Sequence, residues 1–174
     1  MKPTVANGVT FDCQGYSIEC DTSSCIFGIQ AGSDKTTITG CDVRYFNYGI
    51  WMTGSHNTVN NTICANNTWA GIDILGEATN NTIINSVFTH NKGTGMDGHG
   101  IFLTGNVTDN ELNNVLSSHN NKGITIQSMS NNNMIRRSTI ELNAEYGIRI
   151  DESQSNTIKH CFIENNPIGL VIDN

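Results

Sequence analysis

The chain has 174 residues, a net charge of −7 and only nine lysines and arginines, too few to build a phosphate-tracking nucleic-acid surface or a polybasic membrane patch. Charged residues make up 14% of it, while asparagine occurs 25 times and isoleucine 21 times, so asparagine takes the place of charge on the surface. The length suits one domain spanning 1–174, and no apolar run is long enough for a membrane-spanning helix or an export signal's apolar region.

Residues 1–27 read as an N-terminal coil or cap. They hold three of the six cysteines, at positions 13, 20, 25, 41, 64 and 161, which show no paired zinc spacing. Cys20 and Cys25 flank a short Ser/Thr/Asp turn and would pair in an oxidising compartment; the others read as small core residues.

From Gly28 onward a Gly-Ile or Gly-Leu pair returns with a regular rhythm. Gly28, Gly49, Gly71, Gly100, Gly123, Gly147 and Gly169 are spaced 21, 22, 29, 23, 24 and 22 residues apart. A second register confirms the first. Asn57, Asn81, Asn110, Asn133 and Asn156 each stand two residues before an apolar one and ten before Asn67, Asn91, Asn120, Asn143 and Asn166. Each unit holds short stretches with period-two alternation and no sustained helical period, which means strands and tight turns.

A unit of this size cannot close a core alone. Stacked at the strand spacing of about 4.8 Å, each coil pairs with those above and below, which predicts an all-β, single-stranded parallel β-helix of seven to eight coils of 21–24 residues. Ile29, Ile50, Ile72, Ile101, Ile124, Ile148 and Leu170 form one inner row, with the residues two further on as its neighbour. The asparagines are expected at coil corners, in the left-handed region, with side-chain amides bonded along the axis as a ladder.

The longest interval contains "HNKGTGMDGHGIF", where 92–98 read as a loop insertion. The last segment, "GLVIDN", ends on a strand without a cap, and open strand edges of that kind either continue into further coils of a longer solenoid or invite end-to-end or lateral self-association. Asn60, Asn66, Asn80 and Asn106 head N-x-S/T sequons, which matter only in an exported protein of a glycosylating organism and otherwise follow from Asn-Asn-Thr turns.

"FDCQGYSI" (Phe11 to Ile18), followed by repeated N-x-I and Gly-Ile units, resembles the right-handed parallel β-helix repeat proteins of the carbohydrate-binding and sugar-hydrolase type, NosD-like periplasmic proteins among them. The resemblance covers nearly the whole chain and implies a right-handed, pectin-lyase-like solenoid outside the cytoplasm, at the cell surface or in the periplasm. It names no reaction, because this fold carries lyases, epimerases, surface proteins, tailspikes and a copper-maturation protein. "NTWAGIDI", "MDGHGI" and "GIRID" also resemble fragments of the polygalacturonase motifs. Ala70 stands where that family has its first catalytic Asp, Asp97 is single where a pair is needed, and Asp151 replaces a Lys.

Three readings of the site follow. In the first, a non-catalytic extracellular or envelope module, glycan-binding or structural, presents Trp51, Asp73 and Phe102 on an exposed stripe that also holds Gln30, Thr125, Arg149 and Val171. Aromatic rings there stack on sugars while Asp73 takes hydroxyls. In the second, Asp73, His99, Lys122 and Arg149 converge as a lyase or epimerase site on a uronic-acid polymer, with cations against the carboxylate and a base for the ring proton. In the third, His90, Asp97 and His99 meet around a zinc or copper ion, with His119 one repeat position from His90. No cofactor is predicted, a divalent metal being the one left open. The expected partner is a polysaccharide or cell-surface glycan, with neither nucleic acid nor membrane insertion.

Overall fold

A computed structural model describes residues 7–21, 25–93 and 98–173. Among these residues there is no helix, and twenty-one strands are arranged as three seven-stranded parallel sheets. Each coil contributes one strand to each sheet, which makes seven coils of a parallel β-helix. The first sheet runs from Thr10–Asp12 to Thr157–Lys159, and the second from Ser17–Glu19 to Phe162–Glu164. The third is the broadest, with strands Phe27–Ala31, Tyr48–Met52, Ala70–Leu75, His99–Thr104, Lys122–Gln127, Tyr146–Asp151 and Ile168–Asp173. No helix among the described residues is long and apolar enough to cross a membrane.

The inner row is continuous. Ile29 pairs in register with Ile50, then Ile72, Ile101, Ile124, Ile148 and Leu170. The side chains from Ile29 to Ile148 are fully buried, and Met52, Ile74, Leu103 and Ile126 form the next row, also fully buried. In the C-terminal coil the same rows are open, with Leu170 43% and Ile172 61% exposed, because no described coil covers them.

The Gly of each Gly-Ile pair is required by space. Its neighbour Ile already points inward, and two successive inward residues bring the Gly α-carbon against the adjacent coil. A Cβ on Gly71 would lie 2.7 Å from the Gly100 carbonyl oxygen, 2.9 Å from Nδ2 of Asn91 and 3.0 Å from the Phe88 ring. Gly71→Ala is therefore expected to cost about 2–3 kcal/mol, read as a lowered midpoint in urea unfolding.

The asparagine ladders form along both predicted rows, but with different backbone geometry. Asn57, Asn81, Asn110, Asn133 and Asn156 are linked by successive backbone N–H to Oδ1 bonds of 2.8–3.0 Å, and Asn67, Asn91, Asn120, Asn143 and Asn166 by the same pattern at 2.9–3.0 Å. The left-handed residue is the one before each ladder asparagine. In the second ladder these are Asn66, His90, His119, Leu142 and Asn165, with φ between 54° and 58°. The corner twist aims the following asparagine inward, where its amide replaces water for backbone groups of neighbouring coils.

Cys20 and Cys25 are joined by a disulfide, and Cys13 and Cys41 form a second one. That second bond corrects the reading of Cys13 and Cys41 as isolated core residues. Cys13 follows the first strand of its coil and Cys41 occupies the equivalent corner one coil on, so stacking brings their α-carbons to 4.8 Å. Cys64 is a free buried thiol and Cys161 a free, half-buried one.

Candidate glycan-binding face

The outer surface of the third sheet carries two rows of side chains in strict register. One contains Phe27, Tyr48, Ala70, His99, Lys122, Tyr146 and Ile168; the other contains Gln30, Trp51, Asp73, Phe102, Thr125, Arg149 and Val171. Both rows face outward because the Gly-Ile dipeptide between them points into the core, which spends two consecutive residues on the inner side.

At the N-terminal end of this face four aromatic rings cluster. Phe27 lies 5.6 Å from Tyr48 and 4.8 Å from Trp51, while Tyr48 lies 4.8 Å from Trp51 and 5.2 Å from Trp69, edge to face. Trp69 is 44% exposed and the other three are half-buried. Two coils beyond Trp51, the Phe102 ring stacks on His99 at 4.3 Å. Aromatic rings therefore occupy this face at both positions.

Asp73 and Thr125 depart from the exposed stripe expected of them. Asp73 is 3% exposed and Thr125 1%. Asp73 is flanked in register by Trp51 on one strand and Phe102 on the other, and these larger side chains cover it. Its Oδ1 is buried without a hydrogen-bond partner among the described residues. Burial among apolar neighbours pushes its carboxyl up to about 7, since nothing there compensates the charged form.

His99 is also buried, at 8% exposure. Its Nδ1 shares a 2.7 Å hydrogen bond with Oγ1 of Thr125, which shares a 3.0 Å bond with the Tyr146 hydroxyl. Burial, and secondarily the charge of Lys122, pushes the imidazole down to about 3, so the ring is neutral. Lys122 is 6% exposed in the same row. Arg149 bonds through Nη2 to Asp151 and to Asp173, each at 3.1 Å.

The histidines of the proposed metal set take separate partners. His90 is exposed at a corner and stacks parallel on His119 at 4.8 Å, with Nδ1 bonded to Thr89 at 2.9 Å, whereas His99 is held by Thr125 and Phe102. Asp97 lies outside the described residues, as do the neighbouring positions of the 92–98 insertion from 94 to 97. The described base of that insertion reaches the aromatic face, since Gly98 and His99 both donate backbone N–H bonds to the Trp69 carbonyl.

Trp69, Tyr48 and Phe27 pack with Trp51 on this face, outside the predicted set of Trp51, Asp73 and Phe102. Phe27 and Tyr48 fall in the row before each Gly, so the register alone would have placed them. Trp69 precedes that row by one residue and had no periodic counterpart to mark it. A concavity of about 430 Å³ lies elsewhere, lined by Asn85, Val87, Asn114, Leu116, Arg137 and neighbours. No aromatic ring lines it.

Comparison with known proteins agrees with this architecture. A pectate lyase structure, Pel9A, superposes with a TM-score of 0.53 at 18% identity over 90% of this chain. The fold is a pectin-lyase-like parallel β-helix. The chain spans 58% of that lyase's length. A family model described as periplasmic copper-binding protein (NosD) matches residues 95–174. Catalytic domains of a GH87 α-1,3-glucanase, one with tetrasaccharides and one with nigerose, align over 99% and 100% of this chain and 43% and 51% of theirs, both at 14% identity. Their TM-scores of 0.38 are too low to support an argument. No curated protein matches the chain.

Copper is implied by the description of that family model, and the described residues do not fit it. No three His, Cys, Asp or Glu side chains among them are placed to hold one ion. The parallel rings of His90 and His119 form a stack instead of converging on a point.

Proposed function

We propose that the protein is a non-catalytic glycan-binding module of the cell envelope or exterior, whose ligand lies lengthwise along the outer face of the third sheet. The observation that carries this reading is the aromatic platform. Four packed rings at one end and the Phe102–His99 stack at the other are separated by a single polar group, Asp73, along about 14 Å of rod. Pyranose rings offer flat C–H faces to aromatic side chains, and the partly exposed rings of this face supply the matching surface.

Binding fits the polar groups better than turnover does. A uronan lyase needs free cations beside the carboxylate and a base of suitable basicity. Here the Arg149 guanidinium is engaged by two carboxylates, and the His99 ring is held neutral by burial with Nδ1 engaged by Thr125. Two disulfides suit an oxidising compartment, and the NosD description is of a periplasmic protein.

Trp51→Ala removes the ring packed on both Phe27 and Tyr48 and is expected to weaken binding at least about tenfold, as loss of a central aromatic anchor does. Affinity electrophoresis in gels containing soluble polysaccharide measures it. If the wild-type protein migrates unretarded in every such gel, the proposal is wrong.

A further inference from the structure

A carboxyl enclosed by aromatic rings stays there at low cost only while it keeps its proton, and Asp73 is enclosed by Trp51 and Phe102. We infer that Asp73 is a proton-operated latch: with its proton on, Trp51 and Phe102 close over it, and once ionised it drives the rings apart and weakens the platform's hold on its ligand. The effect on the ligand rests on the glycan-binding reading above; the ring movement does not.

The backbone cannot carry Asp73 to water. It lies mid-strand between Ile72 and Ile74, both fully buried, and its strand is paired in register on both sides, with Tyr48–Met52 and His99–Thr104. The side chain is 3% exposed, and Oδ1 is buried without a hydrogen-bond partner among the described residues. An ionised carboxylate in such a place needs a cation or water.

No cation offsets the burial. Tyr48 and His99 face the same surface from the two flanking strands, Lys122 and Arg149 stand one and two strands beyond His99, and Cys64 lies on a strand packed beneath. Burial alone raises the Asp73 carboxyl to about 7, with no charged neighbour contributing. Burial also holds the His99 ring neutral and pushes the Cys64 thiol up, so both keep their charge state around neutral pH.

Water is the remaining remedy, and side chains must admit it. Trp51 is held by two ring contacts, to Phe27 and to Tyr48, each at 4.8 Å, whereas Phe102 is held by one, to His99 at 4.3 Å. Both rings are half-buried and so have a solvent side to turn toward. Phe102 is therefore the freer cover.

The test follows tryptophan emission of the intact protein without ligand from about pH 5 to 9, with circular dichroism confirming that the fold persists. A shift to longer wavelength with its midpoint at about pH 7 is expected, absent in Asp73→Asn, which is neutral throughout. In Phe102→Ala water already reaches the carboxyl, and the midpoint is expected at least about one pH unit lower. A flat wild-type profile, the same transition in Asp73→Asn, or an unmoved midpoint in Phe102→Ala overturns the latch. Affinity electrophoresis in gels containing β-glucan, xylan, galactomannan or polygalacturonate then reads the consequence. Retention at least about tenfold weaker at about pH 9 than at about pH 6 is expected for the wild type, and equal retention for Asp73→Asn. Equal wild-type retention at both pH values overturns the link to binding. No retention in any gel overturns the glycan reading, and the emission profile still decides the ring movement.

Discussion

Asn120→Ala is expected to lower stability by about 5 kcal/mol and the melting temperature by about 10–20 °C. Asn120 is fully buried in the middle of the second ladder. Its Oδ1 accepts from the backbone N–H and the side-chain amide of Asn91, both at 2.9 Å. Its Nδ2 serves the Phe88 carbonyl at 3.0 Å, the Asn143 side-chain oxygen at 3.1 Å and the Ser117 hydroxyl at 3.2 Å. Alanine strands several of these groups where water does not reach, and each unmet buried group costs about 1–3 kcal/mol. Asn166→Ala is the control. Asn166 occupies the same row in the exposed C-terminal coil, where solvent replaces the lost amide, and about 1 kcal/mol is expected. Thermal and urea unfolding of both variants measure the difference; equal losses would mean that the ladder owes nothing to burial.

The second large effect is a pair of opposite pH dependences on one face. Asp73 has its carboxyl raised by burial to about 7 in the folded chain against 3.8 for the free group, so the folded state holds a proton that the unfolded chain has released. Stability from this group is full below about pH 4 and is lost as pH rises to about 7, a total of about 4 kcal/mol. His99 runs the other way. Its imidazole is lowered to about 3 from 6.5, so the unfolded chain binds the extra proton, and stability present above about pH 6.5 is lost as pH falls toward 3. That loss totals about 5 kcal/mol. Between about pH 4 and 6.5 the two slopes oppose each other. Asp73→Asn is therefore expected to stabilise the protein at pH 8 by an amount on the order of 10 °C in melting temperature and to change little at pH 4. His99→Gln is expected to gain its advantage at pH 4 and none at pH 8. Melting curves across this range decide it, and a uniform shift at all pH values would show that neither group changes charge state on unfolding.

The fold was legible because a solenoid repeats its instructions. Six Gly-Ile pairs, one Gly-Leu pair and two files of asparagine state the same coil many times, and parallel stacking turns equal sequence offsets into spatial neighbours. Ile29 to Leu170, the two outward rows and both ladders could therefore be placed from spacing alone. Features that depend on what a neighbour's side chain covers were not legible. Asp73 has the periodic address of an exposed residue, yet Trp51 and Phe102 are large enough to bury it. The left-handed corner belongs to the residue before each ladder asparagine, because a sequence motif shows that a corner exists and not which of two adjacent residues turns. The Cys13–Cys41 bond joins residues 28 apart, an interval set by a first coil longer than the one that follows it.

The two tryptophans of the chain, Trp51 and Trp69, both stand on the proposed binding face. Intrinsic tryptophan emission therefore reports on that face alone, and titration of a soluble oligosaccharide followed together by emission and calorimetry is the most direct test. A saturable change in emission with the same midpoint as the heat is expected, and in Trp51→Ala that midpoint moves at least about tenfold to higher ligand concentration. Saturable heat with unchanged emission would put the ligand elsewhere on the rod and contradict binding at this face.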